Sequence, residues 1–260
     1  MEYQYINFEK QDSVARIIFN RPEVYHSVNR GMALEIQAAL SECAADDVVR
    51  CVVIRGTGKA FCAGQDLKEV IDPNGPELKH IVRDHYNPII LQVRNLEKPV
   101  ICAVNGVAAG AGANLALCGD IVVASSTASF VQAFSKIGLI PDSGGTYFLP
   151  RLIGWQRAAA IMMRADKITS AEAEDMGMIY KTYEADLFDA EVEKLAAEFA
   201  RMATTGLALT KKALNASAQN TLEQQLALEE QLQTIAGQTE DFREGVAAFL
   251  EKRAPKFAGK

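Results

Sequence analysis

Residues 99–119, PVICAVNGVAAGAGANLALCG, carry no charge, so any fold this chain adopts must bury that stretch or place it in lipid. Its length would permit a membrane span. Against a span stand Asn105, Asn114 and four interrupting glycines, Gly106, Gly110, Gly112 and Gly119. The run PVICAV followed by Asn-Gly reads instead as a buried strand ending in a turn. The stretch therefore predicts a strand over 100–104, a glycine turn, a buried helix around Leu115 and a further strand over 121–124.

The same alternation precedes it. Apolar residues alternate over 3–8 and 14–19, which predicts two strands joined by a turn at Gln11 and Asp12. Asn29 is a suitable N-cap for a helix in which Ala33, Ile36, Leu40 and Cys43 share a face. CVVIRG is a buried-strand run leading into a glycine-bearing loop, GTGKAFCAGQD. DPNGPE breaks the chain and is the candidate mobile loop, and residues 78–96 read as a helix disturbed at Pro88. Strands alternating with helices imply an α/β domain with crossover connections. From Thr169 onward helices dominate, the first opened by a capping box of Thr169 and Glu172. Leu222, Leu226, Leu232 and Ile235 give the helix after Asn220 an apolar stripe, which a completed α/β body leaves for a neighbouring subunit.

With 260 residues, 49% of them hydrophobic, the chain can bury a core without disulfides or a structural metal. Its net charge of -6 argues against general nucleic-acid binding, which needs a basic surface. Cys43, Cys51, Cys62, Cys102 and Cys118 include no C-x-x-C pair and are expected as buried thiols, which suits a cytoplasmic location. MEYQYINFEKQDS shows neither a signal nor a transit peptide pattern. His26, His80 and His85 lack the spacing of a zinc helix, so no metal is expected and all three read as surface or packing residues. RGTGKA lacks the phosphate-loop spacing, GVAAGAGAN lacks the third glycine of a dinucleotide fingerprint, and there is no G-x-S-x-G elbow.

Three further segments place small residues where strands end or helices begin: AFCAGQDL at 60–67, NGVAAGAGANLAL at 105–117 and IGLIPDSGGTYFLPRLIG at 137–154. In this order, with the closing FLEKRAPKF, they resemble the crotonase, or enoyl-CoA hydratase/isomerase, superfamily over essentially the whole chain. The resemblance implies the crotonase fold, an α/β architecture of repeated ββα units forming two roughly perpendicular sheets. Residues 1–200 would form this acyl-CoA-binding core and residues 201–260 a helical region that builds trimers. It also implies an acyl-CoA substrate, with coenzyme A part of that substrate and no separate cofactor. The expected assembly is a homotrimer or dimer of trimers, with no nucleic acid or membrane partner.

Removing a proton beside a thioester carbonyl creates an enolate, so such a site needs two N–H donors on the thioester oxygen and a base on the carbon. Matched to the family pattern, the donors are the backbone amides of Gln65 and Ala111. Coenzyme A would follow Ala63, Gly64, Asp66 and Leu67, with Gly110 in the second donor turn. Phe249 and Lys252 would reach the nucleotide from a neighbouring subunit. The two glutamates with which hydratases of the family activate water correspond here to Asn114 and Phe134, and neither exchanges a proton. Phe134 would wall the acyl pocket or simply pack. Asp142, in IPDSGGT, stands where isomerases carry a proton-moving carboxylate, although an aspartate there also reads as a helix cap. Cys62 reads as small filler rather than a nucleophile. Among isomerases the chain is most similar to the branch acting in phenylacetate catabolism, which converts a ring-epoxide thioester to an oxepin. Relatives of that branch shift Δ3 double bonds to Δ2. The rivals are an enoyl-CoA hydratase and a non-catalytic binding member of the family.

Overall fold

The computed structural model describes residues 3–260. Among these residues ten strands form two sheets. The larger runs in the order β1 (Ile6–Gln11), β2 (Val14–Phe19), β3 (Cys51–Gly56), β5 (Val100–Val104), β7 (Ile121–Ser125) and β10 (Lys181–Tyr183). The smaller runs β4 (Ala60–Cys62), β6 (Val107–Ala109), β8 (Ser129–Val131) and β9 (Lys167–Thr169). Consecutive strand pairs, β3 with β4, β5 with β6 and β7 with β8, give one strand to each sheet before the chain turns into helix. This is the repeated ββα winding expected from the sequence.

Apart from the β1–β2 hairpin, the larger sheet is parallel and covered on both faces, which is why its central strands are continuous apolar runs. On one face Val53, Ile101 and Val123 meet Phe188, Val192 and Ala196 of a helix over Phe188–Arg201. The opposite face joins the main core with α1 (Arg30–Ala45), whose N-cap Asn29 accepts from Met32 N at 2.9 Å.

The expected first strand over 3–8 lies three residues too early. Glu35 on α1 takes the amides of Gln4, Tyr5 and Ile6 at 2.8, 2.7 and 3.2 Å, so the chain is held to the helix up to Ile6, where the ladder begins. The turn falls at Asp12 and Ser13, both with positive φ, instead of Gln11 and Asp12. The strands of the smaller sheet are three residues each, and two of them, β4 and β6, lie inside glycine-bearing loops.

After α2 (Leu67–Ile71), the helix expected over 78–96 is present in three parts: α3 (Leu78–His80), a π-helical segment (Ile81–Tyr86) and α4 (Asn87–Asn95). Pro88 has no N–H to return to the preceding turn, and Gln37 Nε2 substitutes by donating to Asp84 O at 2.9 Å and His85 O at 3.1 Å. The uncharged stretch becomes β5, β6 and α5 (Ala111–Leu117), every residue of α5 being buried. Among the described residues no helix is long and apolar enough to cross a membrane.

α6 (Gly145–Ile153) and α7 (Trp155–Arg164) follow, then α8 (Ser170–Asp175) with the expected capping box at Thr169, then α9 (Phe188–Arg201). The C-terminal helical region comprises α10 (Thr204–Ser217), α11 (Leu222–Ala236) and α12 (Glu240–Glu251). Buried Lys211 anchors α10 through Asp120 Oδ2 at 2.7 Å and Val93 O at 2.7 Å. Of the stripe on α11 only Leu232 is buried, while Leu222, Leu226 and Ile235 stay exposed.

Candidate active site

The two predicted donor segments meet backbone to backbone. Gly64 has φ +91°, a conformation that side chains avoid, and a Cβ there would lie 2.9 Å from Ala109 O and 3.3 Å from Ala111 N. On the Gly64 side, Val28 N donates to Gly64 O at 2.7 Å and Asp66 N donates to Val28 O at 2.9 Å, which turns the intervening Gln65 amide away from Val28. On the other side, Gly110 N donates to Val131 O at 2.8 Å, and Ala111 opens α5 with its amide in the unpaired first turn. Among the described residues neither the Gln65 nor the Ala111 N–H donates to a protein acceptor.

Asp142 does not cap the helix it precedes. The N-cap of α6 is Gly144, with no side-chain bond, and among the side chains of the described residues the Asp142 carboxylate accepts only from Ser143 Oγ, at 2.9 Å. Burial raises its pKa above the ordinary carboxylate value, opposed by the Ser143 hydroxyl and the residue's own amide. The Asp142 backbone is held from α5: Asn114 Nδ2 donates to Asp142 O at 2.8 Å, and Asn114 Oδ1 accepts from Gln132 Nε2 at 2.7 Å. Gly145 permits this approach, since a Cβ there would stand 2.3 Å from Asn114 Nδ2. Asn114, expected at the substrate, is fully enclosed with both ends of its amide engaged, so in this structure it is a bracket for the Asp142 loop.

The remaining candidates divide. Phe134 is buried with its ring about 4.0 Å from where a Cβ on Gly110 would stand, so it flanks the second donor turn. Ala63 N donates to Tyr25 O at 2.9 Å, fixing the loop entry. The Asp66 carboxylate is committed to structure, accepting from Lys68 N at 3.1 Å as the cap of α2 and from Arg21 Nη2 at 3.0 Å. Leu67 is exposed. Phe249 and Lys252, at the end of α12, are uncovered by their own chain, Phe249 being 83% exposed.

Cys62 is enclosed at the edge of the site, its thiol pushed up to about 12 by burial, and donates to His26 O at 3.2 Å. It is protonated filler. His26 is a fully buried packing residue whose ring spans Arg21 N at 2.9 Å and Thr57 O at 2.7 Å. His85 is buried too, whereas His80 pairs with Asp84 at the surface. All five cysteines are free and buried.

Gln132 and Gly145 escaped the sequence reading. Gln132 has no local signal, and Gly145 sat inside a recognised motif without a stated function.

Two open amides on loops that meet at Gly64, one of them at the start of a buried helix, with a half-buried carboxylate on an adjoining loop, fit an enzyme of the crotonase class. The enoyl-CoA hydratase/isomerase family model matches residues 9–260, and the chain belongs to that family. It is 45% identical to the 1,2-epoxyphenylacetyl-CoA isomerase of Escherichia coli (strain K12), over 100% of both chains. It is 44% identical, again over 100% of both, to a Rhodobacter capsulatus protein named "Probable enoyl-CoA hydratase". The crystal structure of an enoyl-CoA hydratase from Bacillus anthracis superposes with a TM-score of 0.94 at 32% identity, covering 99% of this chain and 100% of that one.

Proposed function

We propose that this chain is an acyl-CoA isomerase that moves a proton beside a thioester, with Asp142 as the base and the Gln65 and Ala111 amides as the oxyanion hole. One observation carries the reading: Asp142 is a partly buried carboxylate of raised pKa, excused from helix capping, on a loop bracketed by α5, whose first amide is a free donor. The carboxylate takes a proton from the carbon next to the thioester, or vinylogous to it. The electron pair moves onto the thioester oxygen, where two N–H groups meet the developing charge, and the proton returns at another carbon. This chemistry serves ring-epoxide to oxepin conversion and Δ3 to Δ2 enoyl shifts alike. Similarity to the E. coli isomerase favours the ring-epoxide substrate.

Hydration is the second reading, supported by the hydratase names among relatives. It calls for two carboxylates on one water, and the corresponding positions hold an enclosed amide and a phenyl ring. The exposed stripe of α11 and the exposed end of α12 suit assembly with further copies, in which Phe249 and Lys252 would reach a neighbour's nucleotide site. Incubation with ring-epoxide, 3-enoyl and 2-enoyl thioesters, followed by ultraviolet and mass spectra, tests the reading. Isomerised products without added water support it. Rapid gain of water on the 2-enoyl thioester, with no isomerisation of the others, overturns it.

A further inference from the structure

Asp142, Ser143, Gly144 and Gly145 form a tight turn ahead of α6. Gly145 N donates to Asp142 O at 2.8 Å, and both central residues are left-handed, Ser143 with φ 50° and Gly144 with φ 76°. This is the pattern of a type I′ turn, whose central positions suit glycine, asparagine or aspartate. A serine there is strained, and residues held in such conformations cluster at working sites. The turn does not need the Ser143 side chain, because Gly145 N and Asn114 Nδ2 already hold the Asp142 carbonyl, each at 2.8 Å. Ser143 is nonetheless buried, and among the described residues its hydroxyl meets one partner, Asp142 Oδ1, at 2.9 Å. No side chain of the described residues donates to Oδ2.

Resting on the reading of Asp142 as the base, we propose that Ser143 is a positioning residue whose hydroxyl pins Oδ1 of the carboxylate and leaves Oδ2 free to take the proton. The terminal torsion of an aspartate is broad, so an unpinned carboxylate samples many orientations. A donor on Oδ1 fixes its plane, and the proton drawn from the carbon beside the thioester passes to Oδ2 and later returns from it. The same bond favours the ionised carboxylate, against burial, which favours the protonated one. The charges around the turn leave this role to Ser143. α5 has no ionisable side chain, Arg151 of α6 donates to Tyr147 O and lies over the Tyr147 ring, and Lys136, in a 3-10 turn over Ala133–Ile137, is exposed. Tyr86, in the π-helical segment, senses the Asp142 charge but is kept neutral by burial.

Two variants test this. Ser143→Gly removes the hydroxyl and relieves the backbone, whereas Ser143→Ala removes the hydroxyl and keeps the strain. With trans-3-hexenoyl-CoA as the probe, read by the absorbance of the conjugated product, both should raise the acid-limb midpoint of kcat by about one pH unit, since a hydrogen bond to an ionised group is lost. On the plateau above it, kcat should fall about tenfold in both, with KM little changed. Their urea midpoints should differ, Ser143→Ala falling below Ser143→Gly. With Asp142→Asn already in place, Ser143→Gly should change the residual kcat by less than about twofold. An unmoved midpoint, an equal loss with Asp142 already replaced, or a kcat that follows the urea midpoint so that Ser143→Gly keeps full activity would each overturn the proposal while leaving Asp142 as the base. No isomerisation by the wild type, or undiminished isomerisation by Asp142→Asn, would overturn the reading of the base and the proposal with it.

Discussion

Gly145→Ala and Asn114→Ala together probe the bracket that holds Asp142. The methyl added by Gly145→Ala would sit 2.3 Å from Asn114 Nδ2 and 2.7 Å from its Cγ, so roughly 1 Å of movement is needed to restore ordinary contact. Overpacking of this kind costs about 1–3 kcal/mol, partly offset by the helix preference of alanine, about 0.5–1 kcal/mol. Asn114→Ala breaks the bonds at 2.8 and 2.7 Å and strands the Gln132 amide, costing about 2–4 kcal/mol. In the double variant the new methyl has nothing to strike and partly fills the vacated space, so the two costs should fall short of adding by about 2 kcal/mol. Urea midpoints at constant m-value measure the stabilities, and kcat read beside KM follows the site. Because the clash falls on the atoms that hold the Asp142 backbone, each single variant should lower kcat by about 100-fold, with KM changed far less. Additive stabilities within about 0.5 kcal/mol, or full kcat in Gly145→Ala, would refute the bracket.

Stability against pH should separate wild type from Asp142→Asn. A carboxyl whose pKa is raised by folding binds its proton more tightly in the folded chain, so it lowers stability as pH rises from the unfolded value, about 3.9, through the folded one. The asparagine variant should therefore be the more stable at neutral pH, with the advantage vanishing near pH 3, and parallel curves would contradict the burial account. In turnover, the acid limb of the wild-type profile should have its midpoint above the ordinary carboxylate value, and a midpoint at or below that value would count against Asp142 as base. Lys252 holds a left-handed φ of 56°, so Lys252→Gly keeps the backbone while deleting the charge. KM for a CoA thioester should rise several-fold with kcat unchanged, and an unchanged KM would exclude contact with the nucleotide.

Much of the winding was legible because the buried parallel strands are long enough to show as apolar runs, and because Asn29 and Thr169 announce their helices with caps that the structure contains. The first strand was misplaced because Glu35, 30 residues from Tyr5, captures the amides that local alternation assigned to the ladder. The smaller sheet stayed hidden because a three-residue strand has no period to read. At the site, the glycines marked the two loops that meet at Gly64, whereas Asp142 reads in sequence both as a cap and as a base, and in the structure Gly144 takes the cap position. Asn114 was matched to a substrate position from its place in the family pattern. Its engagement with Asp142 and Gln132 depends on partners 28 and 18 residues away, which no local pattern reports.

The central claim is that Asp142 moves the proton, and exchange with solvent deuterium tests it most directly. Wild-type protein in D2O should place deuterium on the carbon beside the thioester, or on the γ-carbon of an enoyl substrate, at a rate at least equal to turnover. Asp142→Asn keeps the volume, leaves the backbone bonds to Asn114 and Gly145 available and removes only the proton acceptor, so kcat should fall by about two to four orders of magnitude and exchange with it, while thioester affinity holds. Deuterium incorporation by the asparagine variant at the wild-type rate would contradict the account.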